Sequence, residues 1–179
     1  TGNVDFIYGS GSAVFDDCDI VARYTDKKAD GCYTAARTYD NIPYGLVFVG
    51  CRFLKEAGVA ADSYRLARPW GADASTIFIS CYLCDAVGDA GYGDMSGNLY
   101  TNARFREYLT YGPGFAVDNN RLNMTSAEAE AMLDAVAKSS AYIDNAFDMY
   151  VSQVNADNTV TTDTADNTPG TGDTSLRVI

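Results

Sequence analysis

The chain has 179 residues, 47% of them apolar and 12% aromatic, enough for one domain with a sizeable core. It carries 13 basic residues against 24 acidic ones, and the resulting charge of −11 argues against a nucleic-acid partner, because phosphate binding needs a positive field. Histidine is absent, which excludes His-dependent catalytic triads and His-ligated zinc or haem sites. No apolar run approaches the length that spans a bilayer, so no membrane partner is expected. The sequence opens at Thr1 without a methionine and in mid-motif, as a piece of something longer does.

The first element, Gly2-Asn3-Val4-Asp5-Phe6-Ile7-Tyr8-Gly9, is an apolar strand carrying a single carboxylate. Three segments then share one pattern, apolar-Phe-x-x-Cys-x-apolar: Val14 to Ile20, Val47 to Phe53 and Ile77 to Leu83. Their cysteines Cys18, Cys51 and Cys81 follow at spacings of 33 and 30 residues, a period that suits the coils of a solenoid. The units are β-rich with Gly, Asn and Asp between them, and no helix-period segment precedes about residue 125. The predicted fold is therefore all-β, a parallel β-helix.

Within each unit the Cys and the residue two places later point inward together. Phe lies three before Cys, an odd step, so a turn or bulge is expected between them as the chain passes to the next sheet. The cysteines read as an interior ladder of small apolar side chains in preference to a metal or redox site. Cys81 and Cys84 form one C-x-x-C without a second pair, a weak metal signal, and no metal or cofactor is expected.

Between the second and third units lies Arg65-Leu66-Ala67-Arg68-Pro69-Trp70-Gly71, with the only tryptophan. Asp5 precedes Cys18 by 13 residues, and Arg68 precedes Cys81 by the same 13. If coils stack in register, the two share a column two coils apart, roughly 10 Å between backbones. The same phase in the intermediate coil falls at Thr38, beside Ala35 and Ala36. A carboxylate against a fixed guanidinium is favoured in its ionised form, and could then serve as nucleophile, as base or as half of a structural ion pair. Trp70 after Pro69 reads either as core or as an exposed aromatic platform for a sugar ring.

Downstream, Thr125-Ser126-Ala127-Glu128 is a capping box opening a helix to about residue 151, with a polar gap at Ser139-Ser140. Such a helix suits a cover for the open end of a solenoid. Residues 152–179 have linker composition and are expected to form a disordered tail, with 174–179 as a possible first strand of a further domain.

At the residues singled out above, the sequence resembles the pectin methylesterases, or pectinesterases. Val4-Asp5-Phe6-Ile7-Tyr8-Gly9 resembles the family's G-x-V-D-F-I-F-G signature, and Leu66-Ala67-Arg68-Pro69-Trp70 its L-G-R-P-W. Thr34-Ala35-Ala36-Arg37-Thr38 is similar to T-A-Q-G-R-T. Glu107-Tyr108 with Gly112-Pro113-Gly114 is similar to E-Y-x-x-x-G-P-G. The resemblance implies a right-handed parallel β-helix, truncated at its N-terminus, over residues 1–151. It also implies metal-free hydrolysis of galacturonate methyl esters in methyl-esterified homogalacturonan (pectin) by a secreted or cell-surface monomer. Asp5 matches the nucleophile, which forms a covalent acyl-enzyme intermediate, and Arg68 the arginine that orients it. Tyr8, Trp70 and Met95 match substrate-contacting positions.

Some residues depart from the family pattern. Ala67 replaces a Gly, Ala36 a Gln, and Tyr92 stands where a Trp is expected, the last two as possible changes to subsites. The family's general acid and oxyanion-hole glutamines match nothing in this chain, so the segment alone is expected to be nearly inert. Two other readings stay open. One is a different pectin-acting β-helix enzyme, a lyase or polygalacturonase. The other is a non-catalytic carbohydrate-binding solenoid.

Overall fold

The computed structural model describes residues 1–117, 121–138 and 177–178. Three strands make each coil. β1 (Val4–Gly9), β2 (Ala13–Asp16) and β3 (Asp19–Ala22) form the first, and β4 (Gly31–Ala36), β5 (Leu46–Val49) and β6 (Arg52–Lys55) the second. The third holds β7 (Tyr64–Ala67), β8 (Ser75–Ile79) and β9 (Tyr82–Leu83). In the fourth only β10 (Arg104–Tyr108) is a full strand, flanked by single bridges from Tyr92 to Ala67 and from Tyr111 to Tyr82. Corresponding strands pair in parallel into three sheets, β1-β4-β7, β2-β5-β8-β10 and β3-β6-β9, as a parallel β-helix requires.

The repeat motif sets the register of the second sheet. Phe15 pairs with Phe48 and Phe48 with Phe78, while Val14, Val47 and Ile77 form the adjoining row. The Phe rings stack along the solenoid, 4.6 Å and 5.4 Å apart with planes within 11° and 9° of parallel. Burying each such ring contributes roughly 1.5–3 kcal/mol, so a column of like side chains in successive coils is the main adhesive of this fold.

The turn expected between Phe and Cys lies where β2 gives way to β3, and it recurs in every coil. Asp17, Gly50, Ser80 and Leu109 each precede the ladder residue with φ of +48°, +60°, +53° and +50°. This left-handed conformation swings the chain from the second sheet to the third, and glycine alone adopts it without a Cβ penalty. A Cβ on Gly50 would meet nothing within 4 Å. Gly50→Ala is thus expected to lower stability by about 1 kcal/mol through backbone strain alone. An unchanged urea midpoint would show that this turn does not limit stability.

The cysteines form the expected interior ladder and are free. The Cys18 N–H donates to Cys51 Sγ at 3.4 Å, and the Cys51 and Cys81 thiols donate to the carbonyls of Phe15 and Phe48 in the preceding coils. The contact with Cys51 and burial push the Cys81 thiol far up, so it stays protonated. Cys84 points at Tyr33 Oη instead, 3.7 Å away, so the C-x-x-C does not converge on one site.

At the fourth coil both columns change chemistry. Glu107 pairs with Phe78 and thus occupies the Phe column, and Thr110 occupies the Cys column. Glu107 and Arg121 form an ion pair with side chains only 1% exposed. Arg121 donates through Nε to Oε1 at 2.7 Å and through Nη2 to Oε2 at 2.6 Å. Tyr92 Oη donates to Oε1 at 2.7 Å and Thr110 Oγ1 to Oε2 at 2.9 Å. Tyr92 is therefore interior, and Ala36 and Ala67 are wholly buried. The expectation that Tyr92 and Ala36 alter subsites is corrected: their side chains face the core.

The structure divides into two compact units, one of 1–129 with 176–179 and one of 130–175. A helix, α1, runs over 126–138. It opens with the expected capping box: the Thr125 N–H donates to Glu128 Oε2 at 2.7 Å and the Glu128 N–H to Thr125 Oγ1 at 3.3 Å. The expected continuation to 151, with its polar gap, and the linker from 152 lie outside the described residues, apart from 177–178. Within that stretch β11 (Arg177–Val178) pairs antiparallel with β2, Arg177 opposite Val14. No helix among the described residues is long and apolar enough to cross a membrane.

Candidate active site

The first sheet carries the cluster that the sequence singled out. Val4 pairs with Cys32 and Ile7 with Thr34, so Asp5 and Phe6 together oppose Tyr33 in a β-bulge. Asp5 has φ +49°, in the left-handed region that Asp and Asn tolerate better than other side chains. A bulge re-aims one side chain out of the pleat. Here it lets Phe6 pack into the core against Tyr33, at 5.7 Å, while Asp5 turns toward Arg68. Backbone strain of this kind clusters at functional sites.

Arg68 follows β7 directly, its N–H bonded to the Thr34 carbonyl. Its guanidinium grips Asp5 in a two-pronged pair, Nε to Oδ1 at 2.7 Å and Nη2 to Oδ2. The side chains are 29% and 19% exposed, so the pair is sheltered yet reachable from solvent. The hydrogen bond to Asp5 holds the Arg68 pKa above the usual arginine range. Both residues thus belong to one sheet two coils apart, as expected, but the shared column is corrected. Ala67 pairs with Thr34 and Ala35 with Tyr8, so Arg68 faces Ala35 and its direct column ends at Tyr8. Thr38 lies elsewhere, buried, with its hydroxyl accepting the Ser75 N–H at 3.2 Å. From the Thr34–Ala67 pair to the Leu46–Thr76 pair the second coil spends 46 − 34 = 12 residues and the third 76 − 67 = 9, so a longer loop after β4 moves the position beside Arg68 from Thr38 to Ala35. The small Ala35 leaves the passage across which Arg68 reaches Asp5.

Around the pair stand aromatic groups. Tyr8, 66% exposed, meets Trp70, 38% exposed, edge to face at 5.7 Å. Trp70 is therefore exposed and not core. Its N–H donates to the Ala36 carbonyl at 3.0 Å, and Asn98 Nδ2 reaches the carbonyls of both Pro69 and Trp70 at 3.3 Å. Asn98 closes a tight turn with Met95, the central residues Ser96 and Gly97 having φ of +54° and +84° as the hairpin turn of type I′ demands. Met95 is half-buried and joins the cluster through this turn, which Asn98 ties to the Trp70 loop. An open depression of about 720 Å³ lies beside Trp70, lined by Arg37, Tyr39, Asp73 and Ser96 among others.

Cys32 sits in the same sheet. Burial first, and the Asp5 charge next, push its thiol up to about 12, so it is protonated at neutral pH and no rival nucleophile. Sequence reasoning missed the bulge, the Asn98 tether and the placement of Arg37, whose guanidinium lies 5.3 Å from the Trp70 ring centroid. The Ser96-Gly97 pair after Met95 was the available signal for the turn. Nothing local marks the bulge.

Comparison with known proteins gives a consistent result. A family profile described as Pectinesterase matches residues 1–146. The chain is 37% identical over 152 residues to Pectinesterase A of Dickeya chrysanthemi, covering 70% of this chain and 42% of that one. It superimposes on the pectin methylesterase from Yersinia enterocolitica with a TM-score of 0.65 at 32% identity, covering 72% of this chain and 48% of the other. A structure of a pectin methylesterase in complex with a hexasaccharide matches with a TM-score of 0.61 at 30% identity, over 71% of this chain and 45% of that one. The chain thus spans less than half the length of these relatives.

Proposed function

Because the chain belongs to the pectinesterase family, we propose that it contributes the nucleophilic half of an enzyme that hydrolyses galacturonate methyl esters in pectin, with Asp5 as the nucleophile. The carrying observation is the Asp5–Arg68 pair, held on a bulge and partly exposed, in strands whose ends carry the exposed Tyr8–Trp70 ring pair. An Asp5 oxygen attacks the ester carbonyl carbon, and the tetrahedral adduct expels methoxide, which takes up a proton as methanol. The resulting anhydride between Asp5 and the galacturonate is then opened by water, giving the free carboxylate and regenerating Asp5. Arg68 fixes the carboxylate orientation before attack, the two-pronged grip leaving each oxygen a further lone pair toward the substrate. Trp70 and Tyr8 offer apolar faces with polar tips suited to a sugar ring, and Met95 an adaptable apolar contact.

The proton for methanol and the donors for the oxyanion have no match among these residues. Both are assigned to the remainder of the full-length protein, and the segment alone is expected to turn over poorly. Pectin is an extracellular polymer, so the enzyme is placed outside the cell. The test is methanol release from methylated homogalacturonan by the full-length protein, with and without a chelator. Methanol release indifferent to the chelator is expected. Chelator-sensitive chain cleavage yielding unsaturated uronates would replace this reading by a lyase, and binding without turnover by a carbohydrate-binding solenoid.

A further inference from the structure

Arg37 is an arginine that the proposed chemistry leaves unused. It follows β4 directly, its N–H fixed to the Gly9 carbonyl at 2.8 Å, and its stem lies against Gly71, where an added Cβ would come within 3.0 Å of Arg37 Cγ. The side chain is exposed on the lining of the depression beside Trp70. Its neighbours differ: Arg68 is taken up by Asp5, and Arg104 donates to the carbonyls of Tyr39, Ile42, Pro43 and Asp73. Among the described residues Arg37 has no carboxylate or carbonyl acceptor, only the Trp70 ring. Five N–H donors in a planar fork are therefore presented to the depression beside Trp70, whose ring also meets Tyr8.

Holding Trp70 in place does not require this cation. The Trp70 backbone is already bonded to Ala36 and Asn98, and Tyr8 packs on the ring. A guanidinium stacked on an aromatic platform suits a ligand that combines a sugar face with an anionic group. In a partly de-esterified galacturonan each hydrolysed unit carries a carboxylate and each esterified one does not. The chain's net charge of −11 repels such a polyanion at long range, so a local cation is needed to retain it. Asp73 on the same lining adds to that repulsion.

We propose that Arg37 forms a carboxylate-reading subsite. It binds a free galacturonate unit beside the reacting ester and makes partly de-esterified chains preferred substrates. The subsite rests on the esterase reading and specifies which substrate that enzyme selects. The guanidinium fork engages both anionic oxygens of a carboxylate, whereas an ester carbonyl offers it a single uncharged acceptor, a difference that supports about tenfold discrimination.

The test compares wild type, Arg37→Gln and Arg37→Lys in the full-length protein on oligogalacturonides of equal length, fully methylated or containing free acids. Expected is a roughly tenfold fall in the ratio of kcat/KM for acid-containing over fully methylated substrate in Arg37→Gln, partly rescued in Arg37→Lys. The wild-type preference should also shrink with added salt. An Arg37 that merely props up Trp70 lowers both rates together and leaves the ratio unchanged, which would overturn the proposal. Calorimetric binding of a fully de-esterified oligogalacturonide separates the two readings. If wild type releases no methanol the esterase reading falls, while equal affinity of wild type and Arg37→Gln overturns the subsite.

Discussion

Asp5→Asn is expected to lower methanol release by the full-length protein by about 10⁴-fold or more, the scale on which loss of a nucleophile acts in hydrolases that form covalent intermediates. The asparagine amide is nearly isosteric, tolerates the left-handed φ of +49°, and still offers one oxygen to Arg68. It cannot form the anhydride, since a neutral amide is no nucleophile toward an ester. The Asp5–Arg68 pair is partly exposed, so its weakening should shift stability by only about 1 kcal/mol. The thermal midpoint, measured alongside, separates lost chemistry from lost fold. Activity above a tenth of wild type with an unchanged midpoint would remove Asp5 from the nucleophile role.

Glu107→Leu should produce the largest loss of stability, about 3–5 kcal/mol, by leaving the Arg121 guanidinium buried without its anion. Tyr92 Oη and Thr110 Oγ1 lose their acceptor in the same step. The double variant Glu107→Leu with Arg121→Met restores an apolar continuation of the Phe15–Phe48–Phe78 column. It should recover a large part of that loss, because paired removal of a buried ion pair is far cheaper than removal of one partner. Denaturant midpoints of the singles and the double form the cycle. Additive losses would mean that the two charges do not depend on one another. Gly91 belongs to this network as well: its φ is +64°, and a Cβ there would come within 2.7 Å of Arg121 Cδ.

Three coils were legible in the sequence because the same two inward residues, Phe and Cys, recur at the same offset in each. The fourth was not, although its backbone is in register. Glu107 and Thr110 stand where Phe and Cys belong, and a repeat search keyed to apolar identity passes over them. The turn between the second and third sheets followed from parity alone, an odd number of residues between two side chains that must both face inward. Its left-handed backbone did not, since Asp17, Ser80 and Leu109 carry no glycine to announce it.

At the candidate site the sequence by itself singled out the groups that come together: one carboxylate in an apolar strand, one arginine near the single tryptophan, and a coil period that brings them onto one sheet. The family resemblance added the roles proposed for them. Only the tertiary structure decided how they meet. A longer loop after β4 breaks the equal count and moves the intermediate position from Thr38 to Ala35, and the β1 bulge aims Asp5 at Arg68. It likewise decided that Tyr92 is interior and that Arg37 lies open beside Trp70. The physical reason is that periodicity records which side chains must be buried, a requirement repeated in every coil. A bulge, a turn tether or an unpaired cation is a single event whose consequence exists only once the neighbouring coil is in place.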